Sequence, residues 1–102
     1  MLKVISLIKR REDMSLDEFR TWAIDEHAQK GKDLPGLREY RMSVVESDDP
    51  SLPYHAVSEL WFDDEEALKA AFATELGQAA GADVAAHASD RVRLMTRETR
   101  IV

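Results

Sequence analysis

His27 and Tyr40 are the residues of this chain whose types best suit moving and holding a proton. An imidazole as a residue type titrates near neutrality and can shuttle protons. A phenol can donate a hydrogen bond that orients a carbonyl or carboxylate. His27 ends the stripe Leu16, Phe19, Ala23, His27, which recurs at helical spacing with Trp22 and Ile24 flanking it. It therefore lies near a helix C-terminus, where the dipole favours a cation. A histidine that merely hydrogen-bonds and closes the helix end would occupy the same position. Tyr40 shares its strand face with Met42 and Val44, a setting that also suits an ordinary sheet aromatic. Trp22, Met42, Trp61 and His55 are the further residues expected to contact a substrate.

Other chemistries find less support. The histidines lack the short i, i+2 or i, i+4 spacings common in metal sites, so no metal is expected. Gly77 and Gly81 belong to neither a Walker nor a dinucleotide fingerprint, and no Gly-x-Ser-x-Gly elbow occurs. With no cysteine, disulfides, thiolate nucleophiles and Cys-ligated metals are excluded. Covalent catalysis is left to Ser or Thr. Glu59 shares the strand parity of Trp61 and would need a partner if buried. Arg93, Arg97 or Arg41 could supply one from a neighbouring strand, which points to an interface ion pair more than to a catalytic acid.

The elements that must position these residues read clearly. Residues 2–9 form a strand with Leu2, Val4 and Ile8 on one face and Ile5 and Leu7 on the other. Ser15 and Glu18 spell a capping box for a helix that runs to about Ala28, and Lys30-Gly31-Lys32 and Pro35-Gly36 break it. Leu37 to Glu46 is a second strand, and the acidic segment 47–53 is a loop. His55 to Phe62 is a third strand. Asp63-Asp64-Glu65-Glu66 opens a second helix with apolar face Leu68, Ala71, Phe72 and Leu76. Gly77 and Gly81 interrupt that pattern, Val84 to His87 suggests a short extra turn, and Val92 to Thr96 is a fourth strand.

The order β-α-β-β-α-β defines an α+β fold, the ferredoxin-like split βαβ unit with a four-stranded antiparallel sheet. The 102 residues are expected to form a single domain. Two helices cover only one sheet face, yet strands one, three and four carry apolar residues on both. The economical cover for the second face is another subunit. The net charge of −6, with no basic run beyond Lys9-Arg10-Arg11, argues against nucleic acid. No apolar stretch approaches a membrane span, and the apolar start lacks a small-residue cleavage site, so the cytoplasm is the default compartment.

Several of these residues together resemble a known family. They are the helix ending in His27, Leu34-Pro35-Gly36-Leu37 followed by Tyr40, and the strand end Glu59-Leu60-Trp61-Phe62-Asp63-Asp64. Over nearly its whole length the chain resembles the EthD-like members of the dimeric α/β-barrel superfamily. It is similar as well to the small methylmuconolactone methylisomerases, which share the helix-borne His and the Pro-Gly-Leu turn. The resemblance implies a homodimer that pairs open sheet faces into one barrel, with a pocket between each sheet and its own helices. Trp61 would floor a pocket or plug that barrel, with packing the more ordinary fate of such an aromatic.

The resemblance also implies a cofactor-free isomerase, dehydratase or cyclase acting on a small cyclic, aromatic-derived or polyketide-like molecule. The alternatives are a non-catalytic binding or accessory protein using the same pocket, and a cofactor-free quinone-forming monooxygenase. The haem-degrading type resembles a set of Asn, Trp and His, and this chain has no asparagine.

Overall fold

A computed structural model describes residues 1–102. The chain runs β1 (Leu2–Arg10), α1 (Leu16–Thr21), a π-helical turn (Trp22–His27), α2 (Ala28–Gly31), β2 (Glu39–Val44), β3 (Ala56–Phe62), α3 (Glu65–Ala73), α4 (Glu75–His87) and β4 (Ala88–Thr96). The strands form one antiparallel sheet in the order β2-β3-β1-β4. This is the ferredoxin-like α+β architecture. No helix is long and apolar enough to cross a membrane.

The helices start where local chemistry dictates. Ser15 accepts from the Glu18 amide at 3.1 Å, while the Glu18 carboxylate accepts from the Ser15 amide at 3.0 Å. Hydrogen bonding to the Glu18 carboxyl from the Ser15 amide, and after it from the Ser15 side chain, holds that carboxyl below its ordinary value. Asp64 caps α3 by accepting from the Ala67 amide at 2.8 Å.

Several boundaries differ from the sequence reading. The first helical rod continues through Gly31 rather than ending at Ala28. A helix break comes at Thr74, not at the glycines, because Thr74 turns extended and its hydroxyl caps α4 by accepting from the Gly77 amide at 3.1 Å. Gly77 serves close packing instead, since a Cβ there would lie 2.4 Å from the Ala71 carbonyl oxygen. Val84 to His87 ends the 13-residue α4 rather than forming a separate turn. Gly36, at φ 76°, takes the left-handed turn that precedes β2.

Along β1 and β3 burial alternates strictly. Leu2, Val4, Ser6, Ile8, Ala56, Ser58, Leu60 and Phe62 are buried under the helices. Two core clusters form there. One gathers Leu2, Val4, Leu34, Leu60, Phe62, Leu68 and Ala71, and the other Ile8, Leu16, Phe19, Trp22, Ala23, Ala56 and Val84. Between them, in the middle of the sheet, the register pairs Ser6 with Ser58. Two small hydroxyl side chains stand where large apolar ones would join the clusters, and a gap opens above them.

The opposite face carries no helix. Ile5, Leu7, Val57, Val92 and Leu94 meet there, and Leu94 is 47% exposed. Trp61 lies on this face, with the Lys3 ammonium 4.9 Å from its ring centroid and the Arg41 guanidinium at 5.9 Å. Glu59 takes Lys3 as its ion-pair partner at 2.6 Å, not one of the arginines considered for it. Arg41 pairs with Glu39 instead, and Arg93 faces the other side of the sheet, opposite Ser6.

Candidate active site

The gap above Ser6 and Ser58 is a narrow cleft of about 40 Å³ that opens to solvent. Its walls come from every layer: Ile8, Tyr40, Leu60, Arg91 and Arg93 from the sheet, His27, Gly31 and Phe72 from the helical side. His27 and Tyr40 therefore face the same space.

The π turn explains how Trp22 and His27 come together. In an α-helix, residues five apart point about 140° away from each other. Widening the turn over Trp22–His27 swings both to one side. Their rings stack with centroids 4.9 Å apart, and His87 also stacks on Trp22, at 4.7 Å. Asp83, from α4, ties the group together. Its Oδ2 accepts from His27 Nδ1 at 2.9 Å and from the Trp22 indole N–H at 3.2 Å. Its backbone carbonyl accepts from His87 Nδ1 at 2.7 Å.

Burial alone would raise the Asp83 carboxyl. The hydrogen bonds from His27 and Trp22, helped by the nearby His27 and Lys30 charges, outweigh it and hold that carboxyl below its ordinary value. An ionised Asp83 on Nδ1 fixes the ring orientation and leaves Nε2 as the nitrogen available to a ligand.

Tyr40 answers from the sheet. Burial pushes its phenol from 10 up to about 12, with no hydrogen bond contributing. It stays a neutral donor at any physiological pH. Because the folded value is the higher one, this contribution to stability is full below pH 10 and disappears as pH rises through 12. The phenolate absorbance difference between the native protein and Tyr40→Phe should accordingly show a midpoint near 12. A midpoint at the ordinary value would mean that the ring is solvated. Gly31 lets the phenol lie close to the rod, since a Cβ there would sit 3.1 Å from Tyr40 Cε2.

The other residues expected at the site are not in the cleft. Trp22 is buried behind His27 and borders an outer groove with Met14 and Glu26. Met42 shares the face of Tyr40 but packs on the second core cluster. Trp61 is on the opposite side of the sheet. His55 is fully buried, with Nδ1 accepting from the Arg10 amide at 3.4 Å and Nε2 donating to the Asp49 carbonyl at 3.2 Å. Both its nitrogens are spent on anchoring the loop before β3. Asp83, Arg91, Arg93, Ser6 and Ser58 are the site residues that sequence reasoning missed. A lone acid in the Ala- and Gly-rich stretch 77–86 was the available signal for Asp83.

The EthD domain model matches residues 11–91. The chain belongs to the EthD family. Among solved structures, this EthD protein is similar to an ethyl tert-butyl ether D family protein of Bacillus halodurans. That match has 26% identity, covers 97% of this chain and 99% of that one, and has a TM-score of 0.82. It is also similar to a dimeric ferredoxin-like protein of unknown function from Thermobifida fusca, at 19% identity, 93% and 88% coverage and TM-score 0.75. A third is an antibiotic biosynthesis monooxygenase, at 24% identity, 98% and 100% coverage and TM-score 0.73. No curated protein matches the chain. The last two likenesses speak for the fold alone.

The two serines offer a direct probe of the cleft. Ser58→Leu should fill the gap between the core clusters and abolish ligand binding. Overpacking typically costs about 1–3 kcal/mol, so the variant should still fold. Thermal unfolding beside a ligand titration checks this, and a variant that binds as the native protein does would place the ligand elsewhere.

Proposed function

We propose that this EthD protein is a small cofactor-independent enzyme of the isomerase, dehydratase or cyclase type. Its substrate would be a small cyclic, aromatic-derived or polyketide-like molecule. One observation carries the reading: His27, held through Nδ1 by Asp83, shares a cleft with the neutral phenol of Tyr40. His27 Nε2 takes a proton from carbon next to a substrate carbonyl. The Tyr40 O–H donates to the oxygen on which the charge collects. The imidazolium then returns the proton at a different carbon, which isomerises the substrate, or to a departing hydroxyl, which dehydrates it. Proton and charge balance without any further reactant.

Pairing of two copies through the helix-free sheet face belongs to the same reading, as does a cytoplasmic, catabolic setting. Apolar residues at the centre of that face support the pairing, and a similar solved structure is described as dimeric.

Proton NMR of a panel of unsaturated lactones and cyclic enones, incubated with the protein, tests the proposal. Conversion to an isomer or a dehydrated product supports it. Ligand line broadening without conversion would make the protein a binding module instead. Product formed only with oxygen uptake would make it a monooxygenase.

A further inference from the structure

Proton transfer by His27 and Tyr40 leaves two cleft residues without a task. Arg91 and Arg93 alternate on β4, opposite Ile8 and Ser6, so both side chains stand on the helix-covered side and line the cleft. Neither guanidinium has a carboxylate partner. Arg10, Arg11, Arg20, Arg38 and Arg41 each hold one, and the other arginines without one, Arg97 and Arg100, lie in the tail after β4, away from the cleft lining. In a chain of net charge −6, carboxylates are plentiful, yet none is placed here. The Arg93 guanidinium also lies against an aromatic ring, its central carbon 4.6 Å from the centroid of Phe72.

We propose that Arg91 and Arg93 form an anion anchor in the cleft, and that the ligand is a small organic carboxylate whose far end meets His27 and Tyr40. A planar guanidinium matches a carboxylate through two parallel hydrogen bonds, which fixes orientation as well as affinity. Ser6 and Ser58, at the floor, add hydroxyl groups that can donate to the same oxygens. Both arginines stand at the mouth of the cleft and keep much of their surface in solvent, while partial burial and, after it, the neighbouring Arg91 charge lower the Arg93 guanidinium below its ordinary value. The inference deepens the proposed function by naming the charge class of its substrate, and it rests on that reading only for the position of the far end.

Benzoate, benzyl alcohol and inorganic phosphate, titrated into the native protein at physiological salt by calorimetry, test it. A charge-assisted hydrogen bond corresponds to about tenfold or more in affinity. Benzoate should bind about tenfold or more tightly than benzyl alcohol. Arg93→Gln and Arg91→Gln should each remove most of that preference, and Arg93→Lys should keep part of it. Equal binding of benzoate and benzyl alcohol, no benzoate binding, or benzoate affinity unchanged in both Gln variants would overturn the anchor. Tighter binding of phosphate would overturn the carboxylate class.

The two readings fail separately. Benzoate held by the arginines in a protein that converts no lactone or enone would leave the anchor standing and sink the catalytic proposal. Conversion of neutral substrates without benzoate binding would do the reverse.

Discussion

His27→Ala is expected to lower substrate conversion by about 10²–10⁴-fold, the usual size of general acid–base catalysis, while the fold survives. The ring contributes to the stack on Trp22, but the large apolar contacts of the rod come from Leu16, Phe19 and Trp22, which the substitution leaves in place. Asp83→Asn should cost about 10²-fold or more for a different reason. An amide that turns its NH₂ toward Nδ1 would hold the ring with its proton on Nε2, where a base needs a lone pair. Comparison of conversion rates with thermal midpoints checks both. An Asp83→Asn protein that converts substrate at the native rate would mean that the carboxylate only ties the helices together.

The same carboxylate gives a pH signature. Its folded value is depressed, so its stabilisation is present above the ordinary value of 3.8 and is lost as pH falls through the lower folded value. Between 3.8 and that lower folded value, stability should fall less steeply with acid in Asp83→Asn than in the native protein.

Leu7→Glu is expected to separate the two subunits of the proposed dimer while leaving each one folded. Leu7 lies between Val57 and Val92 on the face that no helix covers. In a lone chain the new carboxylate would reach water at small cost. In a symmetric pair each interface would bury two unpaired carboxylates, at several kcal/mol apiece. Sedimentation at micromolar concentration should show the native protein as a dimer and Leu7→Glu as a folded monomer. A native protein that sediments as a monomer would contradict the pairing itself. A variant that stays dimeric would move the interface elsewhere.

Much of this arrangement was legible in the residues because it is periodic. Alternation along 2–9 and 55–62 separates Leu60 and Phe62 from Trp61, and the structure puts them on opposite sides of the sheet. The Ser15–Glu18 capping box is a local signal and forms as written. The spacing of Phe19, Ala23 and His27 aims the histidine at the sheet, while the parity of Tyr40 with Met42 and Val44 groups the three on one face without saying which, and the structure makes it the helix-covered one.

What escaped the reading is tertiary. Nothing in Trp22–His27 spells a π turn, which is chosen because it lets both rings reach Asp83. Asp83 itself stands 56 positions from His27, and helix packing alone brings them together. A fourth strand read only from Val92 leaves out Arg91, so the alternation that places two arginines over the cleft becomes visible only when β4 begins at Ala88. His55 looked available as a ligand contact, because a histidine at a strand start carries no mark of being enclosed by its own loop.

The histidine ring spectrum bears most directly on the central claim, that Asp83 keeps the proton on Nδ1 of His27 and leaves Nε2 to act as the base in the cleft. Nitrogen-15 NMR of histidine-labelled protein, with His27 assigned through His27→Ala, reads the tautomer of the neutral ring without any substrate. His27 in the native protein should show a protonated Nδ1 and an unprotonated Nε2, with the preference lost in Asp83→Asn. A native His27 ring that carries its proton on Nε2 would contradict that claim.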